Sequence, residues 1–196
     1  MIITNNLALI KKLVAFLIFA SLFLSLFIYI KNDQSLWYQY GLLCGKIAVF
    51  SYLLTLIPGI LKRLNLANKV TDFYILLNTL RRSIGILTFL LIWYHFLFLI
   101  GIGSILSGQM YKPSTLFEVF GLVAFQLLFL MFITSNGISV KKFGKWWGRI
   151  HSLTYIIIWL VMMHVSFVYL NLSILLGIFA ILELYSILYK KLKTKL

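Results

Sequence analysis

The stretch GRIHSLTYIIIWLVMMHVSFVY, residues 148–169, decides the fold, because it is a long apolar run interrupted by His151 and His164. An apolar run of about 20 residues can cross the hydrocarbon core of a bilayer as a helix. The third histidine, His95, lies in a similar run, SIGILTFLLIWYHFLFLIGIG, at residues 83–103. Ionisable side chains in membrane helices indicate a functional site, and imidazole is a common axial ligand of heme iron.

The composition is that of an integral membrane protein. Of 196 residues, 62% are hydrophobic and 11% are charged, and 18 Lys and Arg against four acidic residues give a net charge of +14. The basic residues lie between the apolar runs, where they set topology and contact anionic lipid headgroups, so we expect no nucleic-acid partner. The single cysteine, Cys44, excludes an intrachain disulfide and is expected to be a small packing residue.

Six apolar segments predict an all-α bundle of six transmembrane helices, which we treat as a single transmembrane domain over residues 1–196. The predicted spans are residues 13–30, 37–61, 83–103, 115–134, 150–170 and 172–188. The first span is expected to be an uncleaved helix, because its apolar run of about 18 residues is longer than that of a signal peptide.

The segments between the predicted spans, and the ends of the spans, give further structural predictions. Residues 72–80 are too short to span and predict either an interfacial helix or the first turns of the third span. Ser135-Asn136-Gly137 predicts a helix end, residues 138–149 a loop with Trp146 and Trp147 at headgroup level, and Asn171 a tight turn. Pro58 is expected near the end of the second span, where a helix break costs least.

The basic residues predict the orientation. With the N-terminus inside, 15 basic residues fall in cytoplasmic segments, whereas only Lys31 and Lys112 fall outside and Lys46 lies within the second span. This bias predicts cytoplasmic N- and C-termini in a multi-pass protein of the cell inner (cytoplasmic) membrane.

Two of the histidines are expected at the same depth. His95 is 12 residues past Ser83 and His164 is 14 past Ile150, which at about 1.5 Å per residue places them roughly 18 and 21 Å from the inner edge. Two imidazoles at one depth on different helices can hold one heme iron from both sides. Each histidine could instead be a polar residue that bonds a neighbouring helix.

His151 is expected at the cytoplasmic edge, about 20 Å below His164 and roughly 140° around the helix, so these two cannot bind the same heme. A second, inner heme would need a different ligand, with Met131 as a speculative thioether, an open position or a rearranged site. Lys46 either snorkels to the interface or pairs with a heme propionate. Glu183, deep in an apolar run, is expected to pair with a lysine of the second span or the tail, or to relay a proton.

Particular motifs resemble a known family. Arg81-Arg82-Ser83-Ile84-Gly85 followed by His95 is similar to the RR-x-x-G…H start of the third helix in ferric-reductase-like transmembrane domains. The stretches Thr134–Gly137 and Lys142–Tyr155, followed by His164, resemble that family's TS…LG-x-x-W-x-x-LH-x-x-x-Y…H pattern. The resemblance covers roughly residues 37–170. Within the family, it extends to the MsrQ branch, the heme-binding membrane subunits of bacterial periplasmic methionine-sulfoxide reductases, and Gly41 with Lys46 fits that branch.

The resemblance implies electron transfer across the membrane through b-type heme, with one heme expected and a second allowed. It implies axial ligation by His95, His164 and His151, with Arg81, Arg82 and Lys46 as further cofactor-binding residues and with flavin mononucleotide (FMN) as an additional cofactor. The donor would be a cytosolic flavin reductase or a quinol, and the acceptor a periplasmic or other extracytoplasmic reductase. The chain would then be an electron-transfer subunit rather than a complete enzyme.

Two alternatives remain open at this point. One is a stand-alone ferric or cupric reductase, in which the outer heme reduces metal ions directly. The other, from a different class, is a small non-heme transporter or assembly factor whose histidines only pack between helices.

Overall fold

The computed structural model describes residues 7–193, and within that range the chain is helical with no strand. The chain ends, which the sequence places in the cytoplasm, and Lys195 lie outside the described residues. The helices are α1 (Leu7–Ile30), α2 (Gln34–Arg63), α3 (Thr71–Phe96), α4 (Ile102–Ser107), α5 (Leu116–Ile133), α6 (Gly137–Phe143), α7 (Lys145–His151), α8 (Thr154–Ser166) and α9 (Leu170–Lys193). A 3₁₀ helix, Ala67–Val70, precedes α3, and a π-helical segment, Leu97–Gly101, joins α3 to α4.

Six segments are long and apolar enough to cross a membrane. They are Leu7–Ile30, Gln34–Arg63, Ala67–Ser107, Leu116–Ile133, Lys145–Ser166 and Leu170–Lys193. Large apolar side chains cover their outer surfaces; Phe23, for example, is 71% exposed. Such a surface suits lipid rather than water. The predicted all-helical, six-span, multi-pass membrane protein is therefore confirmed, whereas its orientation stays a prediction.

The third span begins earlier than the sequence suggested. α3 starts at Thr71 and runs without a break to Phe96, so residues 72–80 are its first turns and the separate interfacial helix was wrong. Leu77, Leu80 and Ile84 recur on one face of α3 and form a buried cluster against apolar residues of α1. This packing extends the helix beyond the apolar run that spans the bilayer.

The predicted loop at residues 138–149 is also corrected. It forms two short helices, because the Asn136 side chain accepts a hydrogen bond from the Ser139 N–H at 2.8 Å and so starts α6. Gly144, with φ of +49°, then separates α6 from α7. α7 ends at His151, and tight hydrogen bonds such as Tyr155 N–H to the Ser152 carbonyl join it to α8. The fifth span therefore consists of α7 and α8 rather than one helix over residues 150–170.

One local expectation differs from the structure. Asn171 lies in the first turn of α9, and the turn before it is made by residues 167–169, where the Tyr169 N–H donates to the Val165 carbonyl. Pro58 lies near the end of α2, as expected, and α2 continues for five residues after it to Arg63. At the other end of α2, hydrogen bonds from Ser35 and Leu36 lower the pKa of Asp33, whose carboxylate accepts both backbone N–H groups.

The chain divides into two compact units. The first takes the chain as far as Pro58 together with Lys69–Lys112, and the second comprises Gly59–Asn68 and the chain from Pro113 onward. In the first, α2 and α3 pack around a core that includes Trp37, Tyr40, Cys44, Leu91 and Tyr94. Cys44 is a buried thiol in this core, as expected. In the second, α8 packs against both α5 and α9.

Candidate functional site

His95, near the end of α3, is held by α2. Its Nδ1–H donates to the Gly41 carbonyl oxygen at 2.8 Å. Gly45 lies one helical turn further along α2, and a Cβ atom there would be only 2.6 Å from His95 Nδ1. The ring therefore occupies the space that a side chain at position 45 would need.

His164, on α8, is held in the same way by α5. Its Nδ1–H donates to the Phe117 carbonyl oxygen at 2.7 Å. A Cβ atom at Gly121 would be 2.7 Å from His164 Nδ1. The Phe117 ring also stacks against the imidazole, with ring centroids 5.4 Å apart and an interplanar angle of 23°.

These contacts show which nitrogen of each ring carries a hydrogen. A backbone carbonyl can only accept a hydrogen bond, so each ring is protonated at Nδ1, and in the neutral imidazole Nε2 then carries the lone pair. A hydrogen bond from the second nitrogen to a carbonyl is the usual support for a metal-ligating histidine. Because a b-type heme needs only axial donors from the protein, His95 and His164 have the chemistry that such a group requires.

A metal ion held by side chains alone is a different kind of site. Across residues 7–193, no cluster of three or more His, Cys, Asp or Glu residues could hold a metal ion.

His151, the last residue of α7, is arranged differently. Its Nε2 lies 3.3 Å from Thr134 Oγ1, and the Thr134 hydroxyl also lies 2.8 Å from the Leu130 carbonyl. His151 therefore contacts its partner through Nε2, whereas His95 and His164 contact theirs through Nδ1. The Trp147 ring stacks on His151 at 4.2 Å, and its Nε1–H donates to the Thr134 carbonyl at 3.0 Å.

The two adjacent tryptophans thus have separate environments. Trp147 turns towards His151 and Thr134, and its indole N–H is satisfied inside the protein. Trp146 is 64% exposed and stacks with the Arg149 guanidinium at 4.4 Å. The position of both tryptophans at headgroup level stays a prediction.

Of the remaining residues considered for cofactor binding, Arg81, Arg82 and Lys46 are exposed and Met131 is partly buried. Arg81 and Arg82 lie in α3, and Lys46 follows Gly45 in α2. Met131 lies in the last turn of α5, one turn before Thr134. Their roles in cofactor binding stay predictions.

Glu183 forms the ion pair that its burial predicted, with Arg63 rather than a lysine as its partner. Glu183 Oε2 lies 2.5 Å from the Arg63 guanidinium, and the two side chains are 5% and 14% exposed. Arg63 also donates to Ser186 Oγ at 2.8 Å and to the Tyr155 hydroxyl at 3.0 Å. This cluster joins the end of α2 to α8 and α9.

Several of these contacts were not predicted from the sequence. Nothing in the sequence pointed to Gly121 or to the Phe117 carbonyl, which lie more than 40 residues before His164. Thr134 and Tyr155 appeared only as letters of the family motif. Backbone carbonyls leave no signal in a sequence, so the partners of the histidines could be found only in three dimensions.

The fold and these contacts define a multi-pass helical membrane protein in which two histidines of spanning helices donate through Nδ1 to backbone carbonyls. The sequence model described as "Ferric reductase like transmembrane component" matches residues 44–163, more than half of the chain. The chain therefore belongs to this family, which suggests a membrane electron-transfer or reductase role. The matched segment includes His95 and His151 and ends one residue before His164. No solved structure matches the chain.

Proposed function

We propose that the protein is a heme b electron-transfer subunit of the MsrQ type in the cytoplasmic membrane. It would accept electrons from a cytoplasmic flavin reductase or a quinol and pass them to an extracytoplasmic reductase, which carries out the substrate chemistry. His95 and His164 are the proposed axial ligands. The sequence predicts them at one depth, so we assign both imidazoles to one iron in the outer half of the membrane.

The observation that carries this proposal is the matched support of the two imidazoles. In each, Nδ1–H is bonded to a backbone carbonyl, at 2.8 Å for His95 and 2.7 Å for His164, so Nε2 is the nitrogen that we propose as the iron ligand. If His95 and His164 only packed between helices, their packing would not require the same ring nitrogen to be protonated in both. A heme held by two such imidazoles supplies reversible one-electron transfer between the ferric and ferrous states.

His151 has a proposed role on the donor side of the membrane. A heme in the outer half leaves a long gap across a hydrocarbon layer of about 30 Å, so electrons need an intermediate centre. Arg149, two residues before His151, and the arginines Arg81 and Arg82, which the sequence predicts on the same side of the membrane, would supply positive charge that suits an anionic group such as the phosphate of FMN or a heme propionate. For ligation through Nε2, the contact of this atom with Thr134 Oγ1 would have to break, so a second heme at this position requires a rearranged site.

A sided reduction assay tests this function. The purified protein is inserted into sealed vesicles, and reduced flavin is supplied on the face that carries residues 138–149, identified by protease access. We expect reduction of the b-type absorbance from this face, with a slower rate in His151→Ala and an unchanged rate in the matched surface variant Lys112→Ala.

The same vesicles separate the relay from a stand-alone reductase. The relay predicts that ferric chelates on the opposite face stay oxidised unless an acceptor protein is added. Rapid chelate reduction by the purified chain would favour the stand-alone metal reductase. An unchanged reduction rate in His151→Ala would contradict the role of this histidine.

A further inference from the structure

The two histidine sites are built from the same backbone pattern. Each consists of a helical residue whose carbonyl accepts the Nδ1–H, followed four residues later by a glycine. The pairs are Gly41 with Gly45 on α2, and Phe117 with Gly121 on α5. The sites lie in different parts of the chain and use different helices, so the repeat is not a consequence of one local structure.

The four-residue spacing has a physical reason. In an α-helix, the carbonyl of one residue already accepts the N–H four residues later, so a side chain can bond only to the remaining lone pair of the oxygen. The path to that lone pair runs past the side-chain position of the later residue. At Gly45 and Gly121, an added Cβ would lie 2.6 and 2.7 Å from the respective Nδ1 atoms. Such distances are shorter than a Cβ atom and a ring nitrogen can approach, so an alanine at either position must displace the imidazole.

We propose that Gly45 and Gly121 are positioning residues that fix the orientation and tautomer of His95 and His164 and thereby tune the iron they bind. The tuning role rests on the proposed heme function. The Nδ1–H···O=C bond makes the imidazole a more basic ligand, which favours ferric over ferrous iron. Loss of this bond should therefore weaken heme binding and raise the reduction potential.

The first test substitutes each glycine by alanine. We expect Gly45→Ala and Gly121→Ala to lower heme affinity by about 10- to 100-fold, as loss of an outer partner of a metal ligand commonly does. Heme that remains bound should show a more positive midpoint potential or a change towards high-spin absorbance. Gly103→Ala and Gly177→Ala are matched controls, because a Cβ at 103 meets nothing within 4 Å and one at 177 is in ordinary contact with Met162.

A second test does not depend on heme. Gly45→Ala is made in the wild-type chain and in His95→Ala, and the stability of the heme-free proteins is compared. If Gly45 serves the histidine, alanine should destabilise the wild-type chain and cost little once the ring is absent. An equal cost in both backgrounds would show that Gly45 serves only helix packing, and would overturn the inference even if the single variant folds poorly.

The two proposals fail in different ways. A colourless wild-type protein contradicts the heme function and the tuning role together. A wild-type protein that binds heme, with affinity, potential and spectrum unchanged in both glycine variants, contradicts only the positioning role.

Discussion

Two imidazoles that donate from the same nitrogen to a helix carbonyl, each against a glycine, are the central feature at the scale of single residues. The sequence predicted that His95 and His164 lie in spanning helices, which the structure confirms, whereas their common depth stays a prediction. Their tautomer could not, because it depends on a backbone oxygen on another helix. His151 illustrates the difference, since it is a family-motif residue in the sequence yet contacts Thr134 through Nε2 rather than a carbonyl through Nδ1.

The contacts of Trp147 predict a measurable residue-scale effect. Trp147→Phe keeps an aromatic ring against His151 but removes the N–H that donates to the Thr134 carbonyl. We expect it to lower the free energy of unfolding by about 1 kcal/mol, the usual net contribution of one hydrogen bond. Unfolding in mixed micelles measures the change.

The neighbouring tryptophan provides the control for this comparison. Trp146→Phe changes an exposed ring and should alter the unfolding free energy by no more than about 0.5 kcal/mol. Equal effects of the two substitutions would contradict the separate environments of Trp146 and Trp147.

At the scale of helices, the Arg63–Glu183 pair predicts how much the contact of the last turn of α2 with α8 and α9 contributes to stability. Glu183→Gln leaves a buried guanidinium without its counter-charge and should cost about 3–5 kcal/mol of stability. The double variant Arg63→Met/Glu183→Leu removes both charges and should be much closer to the wild type. Thermal unfolding in detergent measures both variants, with the exposed neighbour Lys62→Met as a control.

The pair would lose its assigned role if the double variant were as unstable as Glu183→Gln. In that case the cost would come from lost packing or from the bonds of Arg63 to Tyr155 and Ser186, rather than from an unpaired charge.

The helix boundaries show what periodicity and composition can predict. Apolar length identified the six spans, because the hydrocarbon thickness imposes that length. It did not show that α3 begins at Thr71, since the first turns of α3 are stabilised by packing against α1. Nor did it indicate α6 and α7, which depend on the side-chain cap of Asn136 and the positive φ of Gly144. The turn assigned to Asn171 was wrong because a turn-forming residue is also tolerated in the first turn of a helix.

At the scale of the whole molecule, the family match and the fold lead to the same coarse function. The lipid-facing surface and the matched segment at residues 44–163 define a ferric-reductase-like membrane protein. The basic residues, 15 of 18 on one predicted side, favour a cytoplasmic face towards the electron donor. The heme, the donor and the acceptor are proposals that follow from the histidines.

The most direct test of the central claim is the heme content per polypeptide, measured as pyridine hemochromogen with a reduced-minus-oxidised spectrum. Purified wild-type protein is compared with His95→Ala, His164→Ala and His151→Ala. We predict a b-type band with at least one heme per chain in the wild type, loss of that band in His95→Ala and His164→Ala, and a retained band in His151→Ala. A colourless wild-type protein, or a heme content unaffected by removal of His95 and His164, would contradict the assignment.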